Sequence, residues 1–441
     1  MSGLMGEIDV ERQPPNRVPL VHFLVGLVFL VFGSVTAVFV GFSGRGMELV
    51  HVHSLLVGWI CITIMGAVSQ FVPVWSGRKL YSVNLAKTQL YLVAGALPGF
   101  LASLYLGFYT GLPVFGGLMV LGFWVFVYNI ARTLGFPGDV TELHFVFTLF
   151  FLVVATSLGF YLAFRYVSGG FVVGLNRVNL FYGHATFGVF GVVFSVIIGA
   201  VYQLVEMFTQ TDIGVAWRKV RVLEAVLFFV SVVLLGGGRM FGWVIMVKVG
   251  VVLVLISLFL VSLVVLRHIF LSGQGWNPLL RRYCSAAVLL VVWCVLSFFG
   301  IFEHSLFTHP LFTVVGDVGI AHILYIGVVS LVVMGSLYHI VPFLVWVDRY
   351  SSLLGLEEVP MVDDLYISKL SHVDFVLILG SCFLVYIGGV VDVEWVLLVG
   401  GVAFLVGSLV FSLNMFQVVF YHSGICEGFR EMMDELHLSS R

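Results

Sequence analysis

Three apolar stretches of the chain carry histidines near their starts and share one template. They read VHVHSLLVGWICITIMGAVSQFVPVW, FYGHATFGVFGVVFSVIIGAVYQLV and GIAHILYIGVVSLVVMGSLYHIVPF. All three align on a glycine that is followed, after four intervening residues, by an apolar residue and a valine, at Gly66, Gly199 and Gly335. A histidine lies either 13 residues before that glycine (His53, His322) or 15 residues before it (His51, His184).

An imidazole inside a bilayer is costly unless it is hydrogen-bonded or bound to a metal. Three membrane helices that present imidazoles at one depth therefore predict a metal or heme site. Hydrogen bonding is the alternative for His53, His322 and His184, and contact with lipid headgroups or water is the alternative for His51.

The composition is that of a polytopic membrane protein. Hydrophobic residues make up 61% of the 441 positions and charged residues 10%, and the mean hydropathy is +1.13. A soluble domain carries about 25% charged residues. The formal net charge of -2 gives no basic patch for nucleic acid, and the five scattered cysteines form no C-x-x-C pair that would indicate an iron-sulfur cluster.

Because about 20 apolar residues cross the hydrocarbon core, the sequence predicts an all-α integral membrane protein with twelve transmembrane helices. The predicted spans are 19–41, 51–75, 85–108, 111–133, 142–165, 178–206, 222–238, 240–266, 283–302, 316–345, 371–390 and 394–422. Only the stretch from Gly236 to Arg239 separates the seventh span from the eighth.

Lysine and arginine are distributed unevenly between the two sides. With the N-terminus inside, sixteen of the 21 Lys and Arg residues lie on the inner side and four, Arg45, Arg165, Arg177 and Arg239, lie outside. The positive-inside rule then predicts a multi-pass membrane protein with both termini cytoplasmic. In this orientation all four histidines occupy the outer half of the membrane.

The histidines also recur at a regular interval. His53 and His184 are 131 residues apart, and His184 and His322 are 138 residues apart, which is four predicted spans each time. This interval predicts a single membrane domain of three four-helix units around a pseudo-threefold axis, at about 19–133, 142–266 and 283–422, followed by a cytoplasmic tail at 423–441.

In layout and in motifs the chain resembles subunit I of the heme-copper oxygen reductase superfamily, and its motifs are most similar to the cbb-type oxidase and nitric oxide reductase branches. HVHSLLVGW followed by MGAVSQFVPVWSGRKLYS resembles an H-x-H segment of the cbb-type oxidases, and FYGHATFG resembles the Y-G-H-x-x-x-G segment that supplies a copper ligand there. VGIAH resembles that family's V-G-H-x-H with Ile320 in place of the first histidine.

The resemblance implies that His53 and His322 are the axial pair of a low-spin b-type heme. It implies that His184 corresponds to a ligand of the copper beside a second heme, while His51 is an alternative heme ligand or part of a second site. The implied function is membrane electron transfer in a respiratory chain, as in a terminal oxidase or nitric oxide reductase. The implied partners are the lipid bilayer, a quinol or outer-side cytochrome as donor, and further respiratory subunits.

The chain also departs from the family pattern. Ile320 stands where the high-spin heme would take its histidine, and the seventh span, VLEAVLFFVSVVLLGGG, has no histidine where the family places two copper ligands. The second heme or copper site is therefore expected to be degenerate or altered.

Lys248, in the eighth predicted span, is a candidate for a proton path, since the superfamily often uses a lysine of that helix. The alternative is that its ammonium group extends to the nearby outer interface. Arg45, Arg165 and Arg177 are candidate partners for heme propionates.

Two other functions fit the same pattern. One is a twelve-span nitric-oxide-response or metal-handling heme protein without oxidase turnover. The other is a transporter that keeps the scaffold without a cofactor. The scarcity of carboxylates within the spans favours this alternative.

Overall fold

The computed structural model describes residues 14–40, 45–168, 176–303 and 318–422, and within them all regular structure is helical. Nine membrane helices are α-helical throughout: α1 Arg17–Phe39, α3 Val83–Leu106, α4 Gly111–Leu134, α5 Val140–Ser168, α7 Gly214–Phe241, α8 Val244–Leu271, α9 Pro278–Glu303, α11 Ser368–Val390 and α12 Glu394–His422. Three others contain a π-helical segment: α2 (Arg45–His53, Ser54–Cys61, Ile62–Ser76), α6 (Arg177–Thr186, Phe187–Phe194, Ser195–Thr209) and α10 (Val318–His322, Ile323–Ser330, Leu331–Arg349).

Twelve of these helices are long and apolar enough to cross a membrane, which confirms the predicted all-α fold with twelve spans. Large apolar side chains such as Ile245, Tyr91 and Leu413 are 78%, 71% and 64% exposed on the outside of the bundle. A surface of this kind is stable against lipid and not against water. The chain is therefore built to sit in a bilayer.

The boundary between α7 and α8 differs from the sequence prediction. The stretch from Gly236 to Arg239 is helical and belongs to α7, and the chain turns at Gly242, whose φ is 71°. The glycines are tolerated because they let the two helices approach closely. A Cβ on Gly238 would lie 2.9 Å from the Val247 backbone nitrogen, and one on Gly250 would lie 2.6 Å from that of Leu235.

The helices form a closed ring around three inner members. Neighbours in sequence pack side by side, and α12 returns to pack against α1. Helices α2, α6 and α10 are the inner ones, since 67%, 83% and 83% of an 18-residue apolar stretch in each is buried, against 33% to 56% for the other nine. We call the side on which the inner helices begin the histidine side, and the side on which α1 begins and α12 ends the terminal side.

The structure explains why the three inner helices share a glycine. A Cβ on Gly66 would lie 2.5 Å from His22 Cβ, and a Cβ on Gly199 would lie 3.0 Å from His144 Cβ. Gly335 faces the Arg282 side chain in the same way, at 3.1 Å. The glycine thus lets α1, α5 and α9 bring a polar side chain against α2, α6 and α10 near the terminal side.

Another contact recurs between distant parts of the chain. Asn129 of α4 brackets Ser82, accepting from its backbone N–H at 2.9 Å and donating to its carbonyl at 3.0 Å. Asn414 of α12 brackets Ile367 at 2.9 and 3.0 Å in the same manner. Each asparagine fixes the start of the preceding outer helix. The threefold arrangement and the bounds of the units stay a prediction, and the tail at 423–441 lies outside the described residues.

Candidate functional site

The predicted histidines lie at the starts of the three inner helices, on the histidine side. His53 immediately precedes the π-helical segment of α2, His322 immediately precedes that of α10, and His184 lies in the turn before that of α6. A π-helical segment interrupts the i→i−4 hydrogen bonding of a helix, and such segments are frequent at functional sites. All three inner helices therefore switch from α-helical to π-helical hydrogen bonding within one turn after a histidine.

Three of the imidazoles are held through the same ring nitrogen. His51 Nδ1 lies 2.9 Å from the Gly33 carbonyl oxygen of α1, and His184 Nδ1 lies 2.9 Å from the Ala155 carbonyl oxygen of α5. His53 Nδ1 lies 2.8 Å from the carbonyl oxygen of Leu49, one turn earlier in α2.

These contacts fix the tautomer. A carbonyl oxygen can only accept a hydrogen bond, so the Nδ1 atoms of His51, His53 and His184 carry hydrogen and donate it. In the neutral imidazole the lone pair then lies on Nε2. Among the described residues no hydrogen bond engages Nε2 of these three side chains. This is the arrangement of metal-binding histidines, whose other nitrogen donates to a carbonyl or carboxylate.

The two histidines of α2 have different histidine neighbours. His51 interacts electrostatically with His322 of α10, and His53 interacts with His184 of α6. Residues two positions apart on an α-helix are rotated by about 200°, so the two side chains leave α2 in nearly opposite directions. The electrostatic contacts therefore join His51 to His322 and His53 to His184, and the pairing of His53 with His322 stays a prediction from the sequence.

Small residues and aromatic rings surround these pairs. A Cβ on Gly159 of α5 would lie 2.8 Å from His184 Cε1, so the glycine makes room for the imidazole. The rings of His53 and Phe100 have centroids 5.4 Å apart, and those of His322 and Tyr325 are 6.4 Å apart. The pairs therefore lie in a largely apolar environment.

A buried cation beside the site escaped the sequence prediction, which assigned Arg239 to a loop. Arg239 is 6% exposed at the end of α7 and donates to Thr186 Oγ1 at 2.8 Å. It also interacts electrostatically with Tyr182 and Tyr325, which flank His184 and His322. The burial of Arg239 could have been predicted only if α7 had been known to continue as a helix past this residue.

Two of the other predicted cations, Arg177 and Lys248, lie near the ends of their helices. Arg177 packs over the Tyr166 ring with 4.0 Å between its Cζ and the ring centroid, at the surface. Lys248 lies in the first two turns of α8 and is partly exposed, near the histidine side.

Among the described residues no three His, Cys, Asp or Glu side chains come together as a potential metal site. The four cysteines at described positions are free thiols. The candidate metal donors among the described residues on the histidine side are thus the imidazoles of His51, His53, His184 and His322. No protein-family model matches the chain, and no curated protein matches it either.

Proposed function

We propose that the chain is a membrane heme protein that transfers electrons, with one b-type heme held by His51 and His322 and a second held by His53 and His184. The observation that supports it best is the association of the four histidines into two pairs, three of whose members have Nδ1 tied to a carbonyl and Nε2 available. Two imidazoles are the donor set of a low-spin heme, whereas a copper site of the usual type needs a third ligand.

The hydrogen bonds to Gly33, Leu49 and Ala155 hold the imidazole planes in fixed orientations. They also make Nε2 a better electron donor. Arg239 supplies a positive charge between the segments that carry His184 and His322. A heme carries two propionates, so a buried guanidinium beside it offsets part of the cost of burying those anions.

When bound, a bis-imidazole heme iron exchanges one electron with little rearrangement and offers no open position to a gas. The four ligands therefore favour electron transfer over oxygen or nitric oxide reduction. By resemblance the electron donor is a quinol or a cytochrome on the histidine side, and that side faces outward in a prokaryotic cytoplasmic membrane.

The test is the heme content of the full-length protein purified after heme-replete expression. Wild type is expected to bind b-type heme with a low-spin spectrum, and the His51→Ala/His53→Ala variant is expected to bind none, because it lacks one ligand of each pair. His339→Ala, in α10 outside the site, is the control and should keep the wild-type spectrum. Wild-type protein without heme, or a double variant with undiminished heme, would contradict the proposal.

A second prediction concerns the space around His184. Gly159→Ala places a methyl group 2.8 Å from His184 Cε1, so the imidazole must shift. We expect the affinity for the heme of the His53–His184 pair to fall by about tenfold, as for other changes in the support of a ligand. Heme titration of the apoprotein measures it. Gly237→Ala, whose Cβ meets nothing within 4 Å, is the matched control; equal affinities in the two variants would refute the assignment.

A further inference from the structure

Three sets of buried polar side chains occupy equivalent positions near the terminal side, far from the histidine pairs. Each takes one residue from an outer helix that precedes an inner helix, one from the inner helix three positions after the shared glycine, and one from the helix that follows. We call them the first cluster (His22, Ser69, Gln89), the second cluster (His144, Tyr202, Glu224) and the third cluster (Arg282, Tyr338, Asp374). All nine side chains are buried.

The third cluster contains a fixed ion pair. The Arg282 guanidinium donates to Asp374 Oδ1, and both side chains are 0% exposed. Tyr338 Oη donates to the other carboxylate oxygen and accepts from Asn414 Nδ2 at 3.0 Å. An arginine stays protonated in proteins. The Arg282 guanidinium therefore favours the carboxylate form of Asp374, and it does not itself give up a proton.

The second cluster has the same layout with an imidazole in place of the guanidinium. His144 Nε2 lies 3.2 Å from Glu224 Oε2, and both side chains are 0% exposed. Tyr202 Oη donates to Glu224 Oε2 at 3.0 Å, and Ser257 Oγ of α8 donates to Oε1 at 2.8 Å. His144 Nδ1 is buried and has no hydrogen-bond partner among the described residues.

The imidazole of His144, at the position that a guanidinium has in the third cluster, changes the chemistry of the second cluster. With one proton between them, His144 and Glu224 are two neutral groups, because charges are costly in the interior of the bundle. Without that proton a single carboxylate would remain in the interior of the bundle, where an uncompensated charge is costly. The pair therefore has a reason to hold one proton, and unlike Arg282 both of its members can release it.

The second cluster is connected to the terminal side by groups of increasing exposure. Arg221, in the second turn of α7, is 11% exposed and donates to Glu206 Oε2 at 3.1 Å, and Glu206 is 35% exposed. The Arg221 guanidinium lies 4.9 Å from the centroid of the Tyr202 ring and also contacts His268 of α8. The charged and titratable groups around Glu224 are thus His144 from α5, Tyr202 from α6 and Arg221 on α7, with Glu206 and His268 behind Arg221.

We propose that His144 and Glu224 form an internal proton-binding site that is filled from the terminal side. The ligand is a proton shared across the Nε2–Oε2 contact, and it comes from water next to Glu206 and Arg221. The site does not depend on heme, because it involves none of the residues of the histidine pairs.

The test is infrared difference spectroscopy of the full-length protein between acidic and alkaline pH, with isotope-labelled glutamate. Among the described residues Glu224 is the one buried glutamate. A labelled carboxylic acid band that disappears as the pH rises, and that exchanges slowly with deuterium, is expected in wild type. Glu224→Gln should lose this band completely.

His144→Arg is the matched variant, since it copies the Arg282–Asp374 arrangement of the third cluster and should fold for that reason. It is expected to lose the band as well, because a guanidinium beside the carboxylate favours its ionised form. Glu394→Gln, at the exposed start of α12, should leave the band unchanged. A wild-type spectrum without the band, or a band that survives either Glu224→Gln or His144→Arg, would overturn the proposal.

Discussion

Substituting His51 and His322 together with alanine is expected to remove no more low-spin heme than substituting either one alone. In the proposed pairing both changes empty the same site, because the two imidazoles interact electrostatically. When two residues act as a unit, the second substitution adds nothing to the first. Each single variant should keep about half of the wild-type heme under this two-site scheme, measured as pyridine hemochrome per protein.

The same logic applies to His53 and His184. The cross-pair variant His51→Ala/His184→Ala should lose all heme, because it damages both sites. The sequence alone predicted a different result, in which His53 and His322 form the unit. If His53→Ala/His322→Ala behaves like its single variants while His51→Ala binds a full complement, the pairing inferred from the structure is wrong and the sequence pairing is right.

The fold class and the depth of the histidines could be predicted from the sequence. Long apolar runs predicted twelve spans, and the offsets of His53 and His322 from Gly66 and Gly335 placed them at matching depths. These features depend only on local properties, namely hydrophobic length and spacing along one helix. The structure adds that the shared glycine serves the opposite end of the helix, where it admits the side chains of His22, His144 and Arg282.

The pairing of the histidines could not be predicted from spacing. It depends on the rotation of each helix about its axis, and a rotation of about 100° separates adjacent residues. His53 and His322 have the same offset from the shared glycine, so they are expected at the same depth in the membrane. This offset does not determine the direction in which each side chain leaves its helix. The π-helical segments change the rotation again after each histidine, and no residue pattern predicted them.

The buried charges were hidden for a related reason. Glu224 stood near the predicted start of the seventh span, but α7 begins at Gly214, so the carboxylate lies well inside the helix and is fully buried. Arg239 was assigned to a loop that is in fact helical. Helix ends that carry polar residues cannot be located by hydropathy, since the partners that permit their burial come from other helices.

Removal of the Asp374 carboxylate is expected to be the most destabilising of these changes. In Asp374→Ala the Arg282 guanidinium stays buried without its counter-ion, and Tyr338 Oη loses its acceptor. Breaking a buried pair from one side costs about 3–5 kcal/mol. We expect a loss of that size in the free energy of unfolding, measured by denaturing-detergent titration of the purified protein.

Two variants distinguish the loss of the pair from a general effect of mutation. Asp348→Asn, exposed at the end of α10 on the same side, should leave the free energy of unfolding unchanged. Arg282→Met/Asp374→Leu removes both charges and should recover most of the loss, because two apolar side chains can replace a buried ion pair. Recovery is incomplete because Tyr338 still lacks its acceptor. A double variant less stable than Asp374→Ala would show instead that Arg282 stabilises the bundle independently of Asp374, through its bonds to the Pro278 and Ser371 carbonyls.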